Sequence, residues 1–256
     1  MQSWRSFFRS EQPAAKRHRL NIDMTGKVVY AIGDVHGCFS QLKSLESNIQ
    51  ADSHAFNLPK LIIMLGDYVD RGPESAHVLD HLLRPPPSGF QRICLAGNHE
   101  VAMLLYLDGK LPREAWLTSG GRETLFSYGL DVDHLTKLYG STDKADAYVR
   151  RVIPDDHVQF LRSLPIMVYS SRLVFVHAGI RPGVALEDQD ENDLLFIRTE
   201  FFDNTDLLDR WIVHGHTPIH FPRATGRRIN IDTGAFRSGR LTAIRIAGDK
   251  GKLLFA

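Results

Sequence analysis

An α/β fold with parallel strands follows from two features of the 256-residue chain. Short apolar runs alternate with stretches of helical spacing, and each run ends in a polar loop that carries glycine. Val28 to Ile32 reads as the first buried strand and ends at Gly33-Asp34-Val35-His36-Gly37. Leu42, Leu45 and Ile49 then fall on one face of a helix. Leu61 to Leu65 is the second strand, ending at Gly66-Asp67-Tyr68-Val69-Asp70-Arg71-Gly72. Pro73 sits where a first helical turn accepts proline, and Ala76, Leu79 and Leu83 supply a core stripe. Pro85-Pro86-Pro87-Ser88-Gly89 is a loop by composition. Ile93 to Ala96 is the third strand, ending at Gly97-Asn98-His99-Glu100 before a helix through Leu107.

Residues 108 to 164 read as mostly helical and carry little chemistry. Strands resume at Leu173 to Val176, ending at His177-Ala178-Gly179, and at Trp211 to Val213, ending at His214-Gly215-His216-Thr217-Pro218. Arg228 to Ile231 and Leu241 to Ile246 alternate as antiparallel strands do, with Asp232-Thr233-Gly234-Ala235 as the turn between them. There is no internal repeat. The chain reads as one domain, residues 25 to 256, behind a different N-terminal segment.

That segment, residues 1 to 24, carries Arg5, Arg9, Lys16, Arg17 and Arg19 against Glu11 and Asp23, a net +3. Residues 25 to 256 are left with 26 basic and 28 acidic side chains, so the overall +1 averages a basic arm with a slightly acidic domain. The arm is expected to be solvated and disordered. Near-zero charge excludes a globally basic nucleic-acid binder, and no nucleic-acid partner is expected. Cys38 and Cys94 make no disulfide framework. No run approaches the ~20 apolar residues of a membrane span, and the start of the chain lacks the apolar core of a signal peptide. A cytoplasmic protein with no membrane partner is the expectation.

The 12 histidines are the unusual element of the composition. Five strands end in loops that set Asp, Asn or His beside glycine, and four of these loops hold a histidine. Turn formation accounts for Asp and Asn next to glycine but not for the histidines. Strand carboxyl ends converge on one crevice in such sheets. Asp34, His36, Asp67, Asn98, His177 and one of His214 or His216 offer oxygen and imidazole donors without thiolate, a set suited to Mn, Fe or Zn. Six ligands suit two metal ions that share a carboxylate. Position 103 is Met, so His99-Glu100 is no zincin pair. Ser44 and Glu100 stand where a cysteine phosphatase needs arginine six residues after Cys38 or Cys94, and no P-loop is present.

These blocks resemble the metal-dependent phosphoprotein phosphatases acting on phosphoserine and phosphothreonine, within the calcineurin-like metallophosphoesterase superfamily. Residues 33 to 37, 66 to 72 and 97 to 100 match its three signature motifs without substitution. His177-Ala178-Gly179 and Gly215-His216-Thr217-Pro218 are similar to its two later histidine motifs, and residues 231 to 235 resemble a block of its bacterial and phage branch. The resemblance implies mixed β-sheets sandwiched with flanking helices, and a dimetal site at strand C-terminal ends. It implies one metal on Asp34, His36 and Asp67, and a second on Asp67, Asn98, His177 and His216, with His214 behind them. Manganese is the expected pair, with iron or zinc as alternatives.

The same resemblance makes Asp70 the orienter of a general acid, His99, and makes Arg71, Arg198 and Asn98 the phosphate-binding groups. It implies hydrolysis of phosphomonoesters on a phosphoprotein or phosphopeptide by direct attack of hydroxide held between the metals. No regulatory subunits are implied. The alternative is a symmetrical diadenosine polyphosphate hydrolase of the same superfamily. Those enzymes usually replace the Asp70 position by Ala or Asn and the Glu100 position by Asp, whereas both residues stand here. On that contrast the sequence expectation is a protein serine/threonine phosphatase.

Overall fold

A computed structural model describes residues 16–256. Two sheets face each other with helices on their outer sides. In the first, β2 (Val28–Ile32), β3 (Lys60–Met64) and β4 (Phe90–Cys94) run parallel. β10 (Thr242–Ala247) joins β2 antiparallel, and β11 (Lys250–Phe255) forms the edge. The second has the order β1 (Arg19–Asn21), β5 (Met167–Tyr169), β6 (Leu173–Val176), β7 (Trp211–His214), β9 (Arg228–Asn230), β8 (Arg223–Thr225). Within it β6, β7 and β9 are parallel.

Period-two alternation divides the buried strands between two cores. Val29, Ala31, Leu61 and Ile63 meet Val168, Phe175 and Val213 between the sheets. Val28, Tyr30, Ile32, Ile62 and Met64 point the other way, into a core shared with α1 (Phe39–Ser53), α2 (Ser75–Leu83) and α3 (Asn98–Leu107). Burial on both faces is why these strands read as unbroken apolar runs.

Helix α2 starts at Ser75, two residues past Pro73, so its buried face is Ser75, Val78, Leu79 and Leu82. Ala76 is buried as expected, and Leu83 points to solvent. The middle of the chain is helical: α4 (Arg113–Trp116), α5 (Arg122–Ser127), α6 (Val132–Tyr139), α7 (Thr142–Val152) and α8 (Asp155–Ser163). Beyond β6 come α9 (Glu191–Phe196) and α10 (Thr199–Phe202). The turn at Asp232–Ala235 leads into the single-turn α11 (Ala235–Ser238) before β10.

Of the arm expected to be disordered over residues 1–24, the part from residue 16 onward is ordered instead. Residues 1–15 lie outside the described part, but β1 pairs with β5 and extends the second sheet. The basic side chains find backbone acceptors there. Arg17 Nη1 donates to Leu161 O (3.1 Å) and Leu164 O (2.9 Å), orphan carbonyls at the end of α8, and Arg19 Nη2 donates to Gln189 O (2.6 Å). Among the described residues no helix is long and apolar enough to cross a membrane.

Phe175 is fully buried between the sheets. Phe175→Ala is expected to lower unfolding stability by about 3–5 kcal/mol, read from the urea midpoint; a loss below about 1 kcal/mol would show that this core does not join the sheets.

Candidate metal centre

The expected site residues meet at the carboxyl ends of parallel strands from both sheets. Asp34 and His36 follow β2, and Asp67, Asp70 and Arg71 follow β3. Asn98 and His99 open α3, His177 follows β6, and His216 follows β7. Hydrogen bonds join the loops: Val35 N and His36 N donate to Asp67 O (3.1 and 2.7 Å), and Gly215 N donates to His177 O (2.8 Å).

The backbone here is strained. Among the described residues the non-glycine positions with positive φ are His36 (44°), Asp67 (53°), Asp70 (72°), Arg71 (70°) and His216 (65°). All five are site residues, and each such conformation costs of order 1–3 kcal/mol. Glu100 offsets part of that cost. Its Oε2 accepts Asp67 N and Gly97 N (both 2.8 Å), and its Oε1 accepts Tyr68 N (2.7 Å) and Val69 N (3.2 Å). Gly97 is required at the crossing, since a Cβ there would lie 2.2 Å from Asp67 Oδ1. Burial, reinforced by the Asp67 carboxylate, pushes the Glu100 carboxyl up to about 7 against the pull of these N–H donors.

Asp67 belongs to two donor groups. It stands with His36 and His99 in one and with His177 and His216 in the other, and the donor atoms of each group lie within 4.8 Å of one another. Its Oδ2 is 3.3 Å from His36 Nε2 and 3.9 Å from His99 Nε2, while its Oδ1 is 3.5 Å from His177 Nε2. Asn98 Oδ1 closes the second group, 2.7 Å from His177 Nε2 and 2.8 Å from His216 Nδ1. His36 and His177 donate through Nδ1 to Val69 O (2.9 Å) and Leu65 O (3.0 Å). Both Nε2 lone pairs therefore face Asp67, as in ligating histidines whose other nitrogen is anchored.

The electrostatics suit a divalent cation. Burial, then the Asp232 and Asp67 charges, push the Asp34 carboxyl well above its ordinary value, and burial pushes Asp232 up. Burial acts the same way on Asp67, but His177, His99 and His36 override it and hold that carboxyl well below the usual range. Burial and the neighbouring His177 keep His216 neutral, well below the ordinary imidazole value. Three buried acidic side chains and a cluster of imidazoles, without sulfur, fit Mn, Fe or Zn.

Asp34 lies outside both donor groups, and His99 stands in the first beside His36. Asp34 instead accepts His216 N–H (3.0 Å) at Oδ2. His214 is turned away: its Nδ1 lies 3.1 Å from Gly215 O, its Nε2 3.3 Å from Arg228 Nη1, and its ring packs on Phe201. Burial, then Arg228, pushes His214 down to about 3. The structure thus brings His216, and not His214, to Asp67. Arg198 caps α10 at the surface, and its charge adds to the depression of His216. Outside the site, His157 is buried between Tyr128 Oη (2.7 Å) and Asp80 Oδ1 (3.0 Å).

His99 Nδ1 lies 2.7 Å from Asp70 Oδ2. Asp70 is gripped further by the Thr124 hydroxyl (2.7 Å) and by Trp116 Nε1–H (3.1 Å to each oxygen). Arg71 donates to His36 Nε2 and His99 Nε2 (both 2.9 Å) and lies over the Phe236 ring, 5.0 Å from its centroid. Its N–H bonds Gly120 O (3.0 Å), where a Cβ on Gly120 would sit 2.7 Å from Arg71 N. Trp116 and Thr124 carry no local motif and come from the helical middle of the chain. Asp232 was visible only as part of a turn.

Two sheets with helices outside, and a dimetal arrangement of Asp, His and Asn at the strand ends, define a metallophosphoesterase. The sequence profile of the calcineurin-like phosphoesterases matches residues 27–241, and the chain belongs to that family. It is 25% identical over 235 residues to the asymmetrical bis(5'-nucleosyl)-tetraphosphatase PrpE of Bacillus cereus, covering 84% of this chain and 88% of that one. The enzyme of the same name from Halalkalibacterium halodurans is 28% identical over 244 residues, with the same coverage. A solved structure provisionally described as a diadenosine tetraphosphatase superposes with a TM-score of 0.65 at 19% identity, covering 94% of this chain and 98% of that one.

Glu100→Gln replaces an oxygen that accepts two N–H groups by an amide that donates. It is expected to cost about 2–4 kcal/mol in denaturant unfolding of the metal-free protein; a change below about 0.5 kcal/mol would show that the strained turn is held by something else.

Proposed function

We propose that the chain hydrolyses dinucleoside polyphosphates, as the names of its bacterial relatives state for those enzymes. The observation that carries the reading is the extent of the likeness, which spans 84% of this chain and 88% of relatives so named. Retention of Asp70 and Glu100 argues against the symmetrical hydrolases. That contrast concerns one class of dinucleotide hydrolase and leaves the asymmetrical class open, so it does not single out a phosphoprotein substrate.

In this reading Asp34, His36 and Asp67 would hold one divalent ion, and Asp67, Asn98, His177 and His216 would hold a second. Cations bound there would supply Lewis-acid charge to the phosphoryl oxygens and the attacking water. The chain's own groups do the rest. Arg71 now donates to two imidazole nitrogens, and its planar fork takes phosphoryl oxygens in their place. Arg198 adds positive charge on the His216 side. As the water oxygen bonds to phosphorus and releases its proton to solvent, the bond to the bridging oxygen breaks and the departing nucleotide leaves with that oxygen. His99, oriented by Asp70, brings a proton at Nε2 to that oxygen.

Initial rates with Mn²⁺ on diadenosine tetraphosphate and on phosphoserine, phosphothreonine and phosphotyrosine peptides test the substrate. The highest kcat/KM is expected on the dinucleotide, and a preference for any peptide would contradict the proposal. His99→Asn is expected to lose on the order of 10²–10⁴ in kcat on an alkyl phosphate, whose leaving group needs the proton. The loss on the dinucleotide, whose leaving group is an acidic phosphate, is expected to be smaller; equal losses would remove His99 from the acid role.

A further inference from the structure

A groove of about 550 Å³ opens beside the metal centre, between residues 218–220 and residues 233–240. Both walls grow out of site residues. One wall follows His216, and the other follows Asp232 and includes α11. The walls meet at Gly234, where a Cβ would lie 3.5 Å from Pro218. On α11, Phe236 packs edge-on against the His36 ring at 5.3 Å and lies under the Arg71 guanidinium. Arg237 follows immediately and faces the groove.

The groove is lined by His220, Arg237 and Arg240, and among the described residues no acidic side chain lines it. Both arginines are exposed, and among the described residues neither forms an ion pair. Exposed aromatic surface adjoins the basic wall. Phe221, next to His220, is 57% exposed and packs against Phe255 with centroids 5.7 Å apart, and the Arg240 guanidinium lies 5.8 Å from the Phe255 centroid. A metal centre, a basic groove and an aromatic platform therefore follow one another along the surface. A phosphomonoester needs only the first. A nucleotide joined to the reacting phosphorus through further phosphates presents anions and then a base in that same order.

We propose that this groove binds the part of a dinucleoside polyphosphate remote from the cleaved bond, with His220, Arg237 and Arg240 on its phosphates and Phe221 and Phe255 stacking its base. The inference rests on the dinucleotide reading of the metal centre. Guanidinium forks suit phosphate oxygens, and base stacking on an aromatic ring is sequence-tolerant, so the subsite recognises a nucleotide more than a particular base.

The test compares kcat/KM on diadenosine tetraphosphate with kcat/KM on p-nitrophenyl phosphate, using the Mn²⁺-loaded full chain. Arg237→Gln/Arg240→Gln is expected to lower the ratio of the two at least about tenfold, the equivalent of one charged hydrogen bond, chiefly through KM for the dinucleotide. Phe221→Ala is expected to lower the same ratio. Arg151→Gln, on the exposed side of α7, is the control for loss of surface charge and is expected to keep the wild-type ratio. A ratio unchanged in the double variant and in Phe221→Ala, while the wild type still prefers the dinucleotide, overturns the subsite and leaves the proposed function standing. A wild type that prefers phosphopeptides overturns both.

Discussion

The turn after β3 is the constraint on which the site depends. Three of its residues, Asp67, Asp70 and Arg71, adopt left-handed backbone that ordinary side chains avoid. The buried Glu100 carboxylate gathers four N–H groups from this turn and the next, and so sets the Asp67 side chain where both sheets deliver their histidines. The same turn aims Asp70 and Arg71 in different directions. Asp70 goes inward to Trp116 and Thr124, and Arg71 goes to the imidazoles of His36 and His99.

Charge follows from that placement. Asp34, Asp67 and Asp232 are buried near one another, an arrangement that is costly without positive charge close by. Histidines around Asp67 already hold it ionised. The chain as a whole is almost neutral, so in the proposed function attraction for phosphate would be local, from the donor groups that fit cations and from Arg71 and Arg198. The basic groove beyond α11 extends that local field in one direction. A cavity of similar size, about 560 Å³, lies at the opposite ends of the strands near Met24, Val29, Leu173 and Ile246, and it contains none of the site's histidines.

The strand ends were legible in the sequence because chemistry and backbone needs coincide there. Glycine marks the close approaches, and the histidines beside it have no turn-forming role, so Asp34, His36, Asp67, Asn98, His177 and one of His214 or His216 could be picked out together, the choice of His216 coming from the family resemblance. The β1 strand was not legible. Its three residues, Arg-Leu-Asn, are half-exposed, and only the distant β5 makes them a strand. Trp116 and Thr124 were invisible for a related reason: what they do for Asp70 is set by how the helical middle folds back over the turn. The substrate class was less legible for a chemical reason: the residues at positions 70 and 100 separate the symmetrical hydrolases from the rest and say nothing of the asymmetrical ones, whose name the bacterial relatives carry.

One carboxylate shared by two donor groups implies two ions per chain, and the measurement that decides it is metal content per chain after loading with Mn²⁺ and removal of free ion. Asparagine tolerates left-handed backbone, so Asp67→Asn keeps the turn while removing the charge. The wild type is expected to hold two ions per chain and Asp67→Asn to lose both; a variant that retains one ion at full occupancy, or a wild type that binds a single ion, would contradict the shared carboxylate.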